Sequence, residues 1–265
     1  HVVFVLVVMN PAFAYVYDEV LAHPRYERLV AEIETEAGQA GIEGRVLRVG
    51  MFRDAKESLK DLQKHGVKNV IFVGTDQVLL SHIYLLPSLE MTIGFLPIMT
   101  DSYLARALRL PIGAKAIQTI AGRLVECLDL GKVGDRLFLT ELVITNTDAG
   151  VEVNGEYRLS PRERGGISIR NLCASPGQTG CVADPQDGLL EVVIQSSVTS
   201  SSFLPWKKQE MSETRLYLKE GAVVSKQPLD AYVDGHKITN TRFTFAIVPK
   251  ALRLITGREG VLPKR

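Results

Sequence analysis

The chain has 265 residues, of which 46% are hydrophobic and 23% charged, the balance of a soluble globular protein with enough length for one large or two small domains. A formal net charge of +1 removes the global electrostatic case for nucleic acid or for a strongly acidic membrane. The three cysteines Cys127, Cys173 and Cys181 are sparse and odd in number, and no histidine stands near Cys173 or Cys181. They therefore read as buried or free thiols in a reducing cytoplasm rather than as zinc ligands.

The apolar start Val2–Met9 is too short to span a bilayer and lacks a cationic lead and a cleavage site. It reads as a buried strand over Val2–Val8 that ends at Asn10-Pro11, with His1 the mark of a trimmed sequence or a residual tag. Tyr26 to Ala40 follows as a helix, with Leu29, Val30, Ile33 and Ala37 at helical spacing and Gly41 as its stop. Arg45–Val49 is strand-like. Asp54 is placed to cap a helix to Lys64, closed by His65-Gly66, where a histidine suits the helix end.

Asn69–Val73 is a β-branched and aromatic run that stops at Gly74, and a polar tip of Thr75-Asp76-Gln77 leads to a helix over Leu79–Leu86. A strand that ends in Gly-Thr-Asp before a helix is where α/β proteins hold anions on unpaired N–H groups. An ordinary βα turn has the same spacing, and both readings stand. Met91–Pro97 is a fourth strand, followed by Thr100-Asp101-Ser102 and a helix from Tyr103 to Leu110. Two strand–turn–helix units on one sheet edge commonly frame a ligand crevice, in a mostly parallel three-layer sheet. A further helix covers Ala114–Val125.

From about Cys127 the texture changes. Leu137–Thr145, Gly166–Cys173, Leu189–Val198, Thr214–Leu218, Ala222–Val224 and Phe243–Val248 are short strand-like runs, as in an antiparallel sandwich. Gly150–Gly165 reads as a loop or irregular hairpin, and Ser196–Lys208 as a connection carrying the single Trp206.

In order along the chain, Asn10-Pro11, Gly74-Thr75-Asp76, Leu96-Pro97 through Arg106, Asp129-Leu130-Gly131, Pro185 through Val192, Asp234-Gly235-His236 and Val248-Pro249-Lys250-Ala251-Leu252-Arg253 resemble the motifs of one family. It is the bacterial diacylglycerol-kinase-like lipid kinases, relatives of NAD kinases and sphingosine kinases. The resemblance implies an α/β plus all-β architecture. Residues 1–125, joined by about 254–265, would form an NAD-kinase-like nucleotide domain, and 126–253 a β-sandwich domain. It also implies ATP and magnesium, with a lipid hydroxyl as acceptor, in a cleft between the two.

By that resemblance Gly74, Thr75, Asp76 and Thr100 are the nucleotide-binding candidates, and Asp76 and His236 the catalytic ones. Asp187, with backbone oxygens of Asp184 and Leu189, matches a magnesium site of the family. A turn-capping role is as open for Asp76 and Thr100, and an ordinary Asp-Gly turn for Asp187.

Against the family pattern several parts are missing. Val73, Thr75, Gln77 and Val78 stand where glycines and a threonine are expected, and side chains there obstruct backbone approach to phosphate. Met99 replaces a glycine, Ser102-Tyr103 replaces Asn-Asp, and Asp101 lies two positions too early. His236 holds the place of the proposed base, a glutamate in the family; an imidazole accepts protons at neutral pH but has a different reach.

The expectation is a lipid kinase-like protein of weak or absent activity that retains lipid or nucleotide binding. The alternatives are an active kinase for a different acceptor with His236 as base, and a non-catalytic protein-interaction module. Peripheral membrane contact through Lys132, Lys250 and Arg253, and a homodimer through an exposed sandwich edge, are compatible with the pattern.

Overall fold

The structure is a computed structural model that describes residues 12–48, 55–147, 149–153, 155, 157–161, 165–173, 181–199 and 209–261. The chain divides into two compact units. One runs through Glu126 and takes back Arg253–Gly260, and the other covers Cys127–Leu252 with Val261.

The first unit is built from β1 (Phe13–Tyr17), α1 (Glu27–Gln39), β2 (Arg45–Arg48), α2 (Ala55–Lys64), β3 (Asn69–Gly74), α3 (Asp76–Leu80), β4 (Thr92–Pro97), α4 (Tyr103–Ala107) and α5 (Ala116–Gly122). Strands β2, β1, β3 and β4 lie side by side and parallel. Every residue of β3 and β4 is buried, so both strands read as continuous apolar runs rather than alternating ones. Ile33 and Ala37 of α1 pack with Tyr15, Tyr17, Ile71, Leu96 and Ile117 in the unit's core. The Tyr15 hydroxyl donates to the Ile42 carbonyl at 2.6 Å, which satisfies a polar tip inside that core.

Three sequence expectations need revision here. The strand expected over Val2–Val8 and its Asn10-Pro11 end lie outside the described residues. The strand paired with both β2 and β3 is Phe13–Tyr17, where the sequence suggests a loop after the proline. Five residues free of Gly and Pro, three of them aromatic, suffice for a buried strand.

The helix expected over Leu79–Leu86 instead begins at Asp76 and stops at Leu80. Ser81 Oγ donates to the Gln77 carbonyl, and His82 Nδ1 lies 2.8 Å from the Val78 carbonyl, side-chain bonds that favour the turns that follow. Helix α5 ends at Gly122 rather than Val125, because Arg123 turns into the left-handed region at φ 52°.

The second unit contains β5 (Val125–Val133), whose first two residues still belong to the first unit, β6 (Arg136–Phe138), β7 (Glu141–Thr147), β8 (Gly150–Val153), β9 (Tyr157–Leu159), β10 (Gly165–Arg170), β11 (Leu190–Thr199), β12 (Gln209–Leu218), β13 (Glu220–Val233) and β14 (His236–Ile255). Strands run in the order β12-β11-β10-β7-β13-β14, and all the pairings from β12 to β14 are antiparallel. Leu142, Ile144, Ile167, Ile169, Val192, Ile194, Val223, Phe243 and Phe245 fill the core beneath one face.

The runs expected at Ala222–Val224 and Phe243–Val248 are fragments of β13 and β14, which have 14 and 20 residues. The β13–β14 ladder is interrupted between the fragments, where the register shifts from Val224–Arg242 to Leu229–Asn240 and residues 225–228 have no partner in β14. Gly150–Leu159 is a hairpin of β8 and β9 laid on β13.

Cys173 and Cys181 are not thiols. They form a disulfide with their Cα atoms 5.8 Å apart, while Cys127 is free and exposed. Among the described residues no helix is long and apolar enough to cross a membrane.

Candidate functional site

The turn after β3 is organised by a residue from the end of β1. The Asp18 carboxylate accepts the Thr75 N–H at 3.0 Å and the Thr75 hydroxyl at 2.6 Å, while its other oxygen accepts the Val20 N–H at 3.2 Å. The Asp18 N–H in turn donates to the Val73 carbonyl at 2.8 Å, so β1 and β3 end together. Gly74 is needed because a Cβ there would overlap the Asp18 side chain. The space over this glycine is therefore filled, by a carboxylate. Nothing in the local sequence marks Asp18 except that it directly follows a strand.

Asp76 is the second carboxylate of the turn, and it faces α4. It accepts from the Ser102 hydroxyl, from the Tyr103 N–H at 2.9 Å and from the Leu104 N–H at 3.3 Å. The Ser102 hydroxyl also accepts the Ala105 N–H at 2.9 Å as the cap of α4. Ser102 is buried and clamped between Asp76 and α4. The capping alternative for Asp76 thus has a concrete geometry, across 26 residues rather than within its own turn.

Met99, Thr100 and Asp101 lie exposed on the turn between β4 and Ser102, so the loop presents a methionine where a glycine would leave the backbone open. The structure places two hydrogen-bonded sets on this turn, Asp18 with Thr75 over Gly74, and Asp76 with Ser102. It shows no bond from Thr100 to either set.

In the second unit, buried Asp129 anchors the turn that carries Asp184, Asp187 and Leu189. Its carboxylate accepts the Gly188 N–H at 2.8 Å and the Lys250 N–H at 2.7 Å, and its own N–H donates to the Pro185 carbonyl at 2.6 Å. Asp187 Oδ1 accepts the Leu189 N–H at 2.9 Å, Asp184 Oδ1 accepts the Gln186 N–H at 3.0 Å, and the Asp184 carbonyl faces the Asp187 N–H at 3.4 Å. Two of the oxygens expected around magnesium, Asp187 Oδ1 and the Asp184 carbonyl, thus each face an amide of the turn itself. Among the described residues no group of three or more His, Cys, Asp and Glu side chains stands together.

Asp234 and Gly235 turn β13 into β14 with φ of 47° and 83°, the two positive values a tight hairpin needs. The Asp234 carboxylate, almost wholly buried, accepts the N–H groups of Leu139, Thr140 and Glu141 at 2.8, 2.9 and 3.1 Å and the Thr140 hydroxyl at 2.5 Å. Burial pushes its carboxyl above the usual carboxylate range, and these four donors pull the other way. His236 follows, half-buried and opposite Val233 in the ladder. It belongs to the second unit, whereas Asp76 belongs to the first.

No protein-family model matches this sequence, and no curated protein matches it. Solved structures do match its fold. A diacylglycerol kinase from Bacillus anthracis str. Sterne aligns at a TM-score of 0.74 with 16% identity, over 94% of this chain and 98% of that one. A second protein of that organism, provisionally named a diacylglycerol kinase, also reaches 0.74, with 14% identity over 94% and 96% of the two chains. A third, provisionally named likewise, reaches 0.69 at 14% identity, over 94% and 98%. The chain has the fold of these proteins over nearly its whole length.

Proposed function

We propose that the chain is a diacylglycerol-kinase-like protein in which phosphoryl transfer is weak or absent, and which acts by binding a lipid ligand rather than a magnesium–nucleotide complex. The observation that carries this reading is the Asp18 carboxylate seated over Gly74 and on the N–H and hydroxyl of Thr75. Phosphoryl transfer depends on positioning and on neutralising phosphate charge. Here the donors at the tip of β3 are already taken by a negative group, which would repel a phosphate approaching them. The amides of Tyr103 and Leu104 are taken by Asp76 in the same way. The overlap at Gly74 adds a steric obstacle to the electrostatic one.

Under this reading a magnesium–ATP complex gains little at the tip of β3, and no resident metal is required at Asp187. The fold and the ordered set of motifs support kinship with the lipid kinases. The experiment is a titration of the full chain with magnesium and ATP, followed by calorimetry and by thermal shift. No saturable binding below the millimolar range is expected, since a ligand that binds the native state must raise its melting temperature. Saturable micromolar binding would overturn the proposal. Radiolabelled γ-phosphate transfer to a lipid extract then measures residual activity, with His236→Ala as the variant that decides whether the imidazole is a base.

A further inference from the structure

We propose that the first unit carries a binding site for a phosphate monoester in the cavity lined by Arg109 and Arg258, and that the Glu259 carboxylate fills its cationic end until a phosphate displaces it.

The cavity measures about 420 Å³, within the range of small-molecule sites. Arg109, Gln118, Thr119, Gly257, Arg258 and Glu259 line it, and all of them belong to the first unit. Gly257–Glu259 come just after Ile255, the last residue of β14, whose Leu254 runs parallel beside Ile93 of β4. The cavity thus follows the carboxyl end of a strand in a parallel sheet, the end at which α/β folds bind ligands. None of its residues belongs to the β3 turn, so the proposal does not rest on the reading of that turn.

The fold fixes Arg109 closely. The Leu110 N–H donates to the Ala105 carbonyl at 2.8 Å and closes α4, with Arg109 at φ 53°, where a helix end usually carries glycine. The Gly257 N–H donates to the Leu108 carbonyl at 2.8 Å, and a Cβ on Gly257 would overlap the Arg109 carbonyl. The Arg109 backbone is pinned between its own helix end and the returning strand. An arginine is therefore held in a conformation that favours glycine, with its side chain on the cavity wall.

The donors of this wall are only partly used. Arg109 Nη1 meets the Glu259 carboxylate, while Arg109 Nε is buried without a hydrogen-bond partner among the described residues. A buried donor with no acceptor points to a bound group. Arg258 is exposed and makes no ion pair among the described residues, and the Gln118 amide and Thr119 hydroxyl make no hydrogen bond there. Two guanidinium groups against one carboxylate leave a surplus positive charge, which a phosphate dianion in place of Glu259 would balance. Guanidinium groups pair with several phosphate oxygens at once, whereas the carboxylate leaves Nε unserved. The Glu259 side chain is 72% exposed, so its ion pair is weak and swings aside at little cost. The cavity is roomier than a bare phosphate needs, which favours an ester carrying an organic group.

The test is a calorimetric titration of the full chain with glycerol 3-phosphate, at an ionic strength held constant with chloride. A second arm measures flotation of the protein with phosphatidylcholine vesicles that contain phosphatidate, so that a soluble ester and a lipid headgroup are told apart. Saturable binding is expected to one of them. Glu259→Gln should tighten it by about fivefold, the worth of one exposed ion pair. Arg258→Ala, and Arg109→Asn, which tolerates the left-handed backbone, should each weaken it by about tenfold. Should Arg109→Asn fail to fold, exposed Arg258 carries the same comparison. No binding of either probe by wild type and Glu259→Gln would overturn the proposal, as would binding that Arg258→Ala and a folded Arg109→Asn leave unchanged. Neither arm contains nucleotide, so the outcome is independent of whether the chain binds ATP.

Discussion

Replacing Asp18 separates the two jobs its carboxylate performs. In Asp18→Ala the Thr75 N–H and hydroxyl lose their acceptor, and Val20 loses the side-chain cap 3.2 Å away. A cap is worth about 1 kcal/mol, and each bond from Thr75 to a charged, half-exposed acceptor about the same once water replaces part of it. One of these contributions is recovered by hydration, so a net loss of about 2 kcal/mol is expected, or a fall of about 4–8 °C in melting temperature.

The same change removes a negative charge from the place a phosphate would approach. At about 4 Å and an effective dielectric near 20, that repulsion is about 4 kcal/mol, and screening by solvent and magnesium leaves about a third of it, about a tenfold gain in affinity. Titration with magnesium and ATP, followed by calorimetry, should therefore show tighter binding in a less stable protein. Asp18→Asn keeps the volume and loses the charge, so it distinguishes repulsion from crowding. A folded Asp18→Ala protein with no gain in affinity would refute the reasoning, because the carboxylate would then not be what closes the turn.

Three further outcomes are expected. Asp234→Ala leaves the buried amides of Leu139, Thr140 and Glu141 without their acceptor. It should cost about 3–5 kcal/mol in urea unfolding, and a cost under about 1 kcal/mol would contradict this account. Tyr17 has its hydroxyl pushed up from 10.0 to about 12, first by burial and then by the nearby charge of Glu34. Because the folded pKa lies above the unfolded one, its stabilisation is complete below pH 10 and is lost as pH rises towards 12. Wild-type protein should therefore lose about 1 kcal/mol more than Tyr17→Phe between pH 9 and pH 11. Asp76→Ala frees the Tyr103 and Leu104 amides and should lower stability by about 1–2 kcal/mol, with the loss read from denaturant midpoints.

The parallel sheet was legible because its strands announce themselves. Asn69–Gly74 and Thr92–Pro97 are apolar runs closed by glycine or proline, with polar turns and helices after them. The order of short motifs along the chain carried the rest of the architecture. Long β13 and β14 were not legible as single strands, because a register shift sets Lys226-Gln227 outside the β13–β14 pairing and Thr239–Arg242 is a polar run within β14. Asp18 was hidden for a different reason. Its carboxylate reaches a residue 57 positions later, and no local spacing encodes such a contact. The disulfide was equally silent, since a separation of eight residues says nothing about whether two sulfurs face each other until the fold sets them 5.8 Å apart by Cα.

The last strand has a consequence for how the chain is made. Arg253–Ile255, the end of β14, belongs to the first unit, where Leu254 sits beside Ile93 of β4 and Ile255 enters the core. During vectorial synthesis the first unit emerges from the ribosome with β4 as an unguarded border, and it must wait for Arg253–Ile255 before that border is closed. A nascent chain arrested ahead of Arg253 should therefore display its N-terminal half as a protease-sensitive, chaperone-bound intermediate, and release of a few more residues should end that sensitivity.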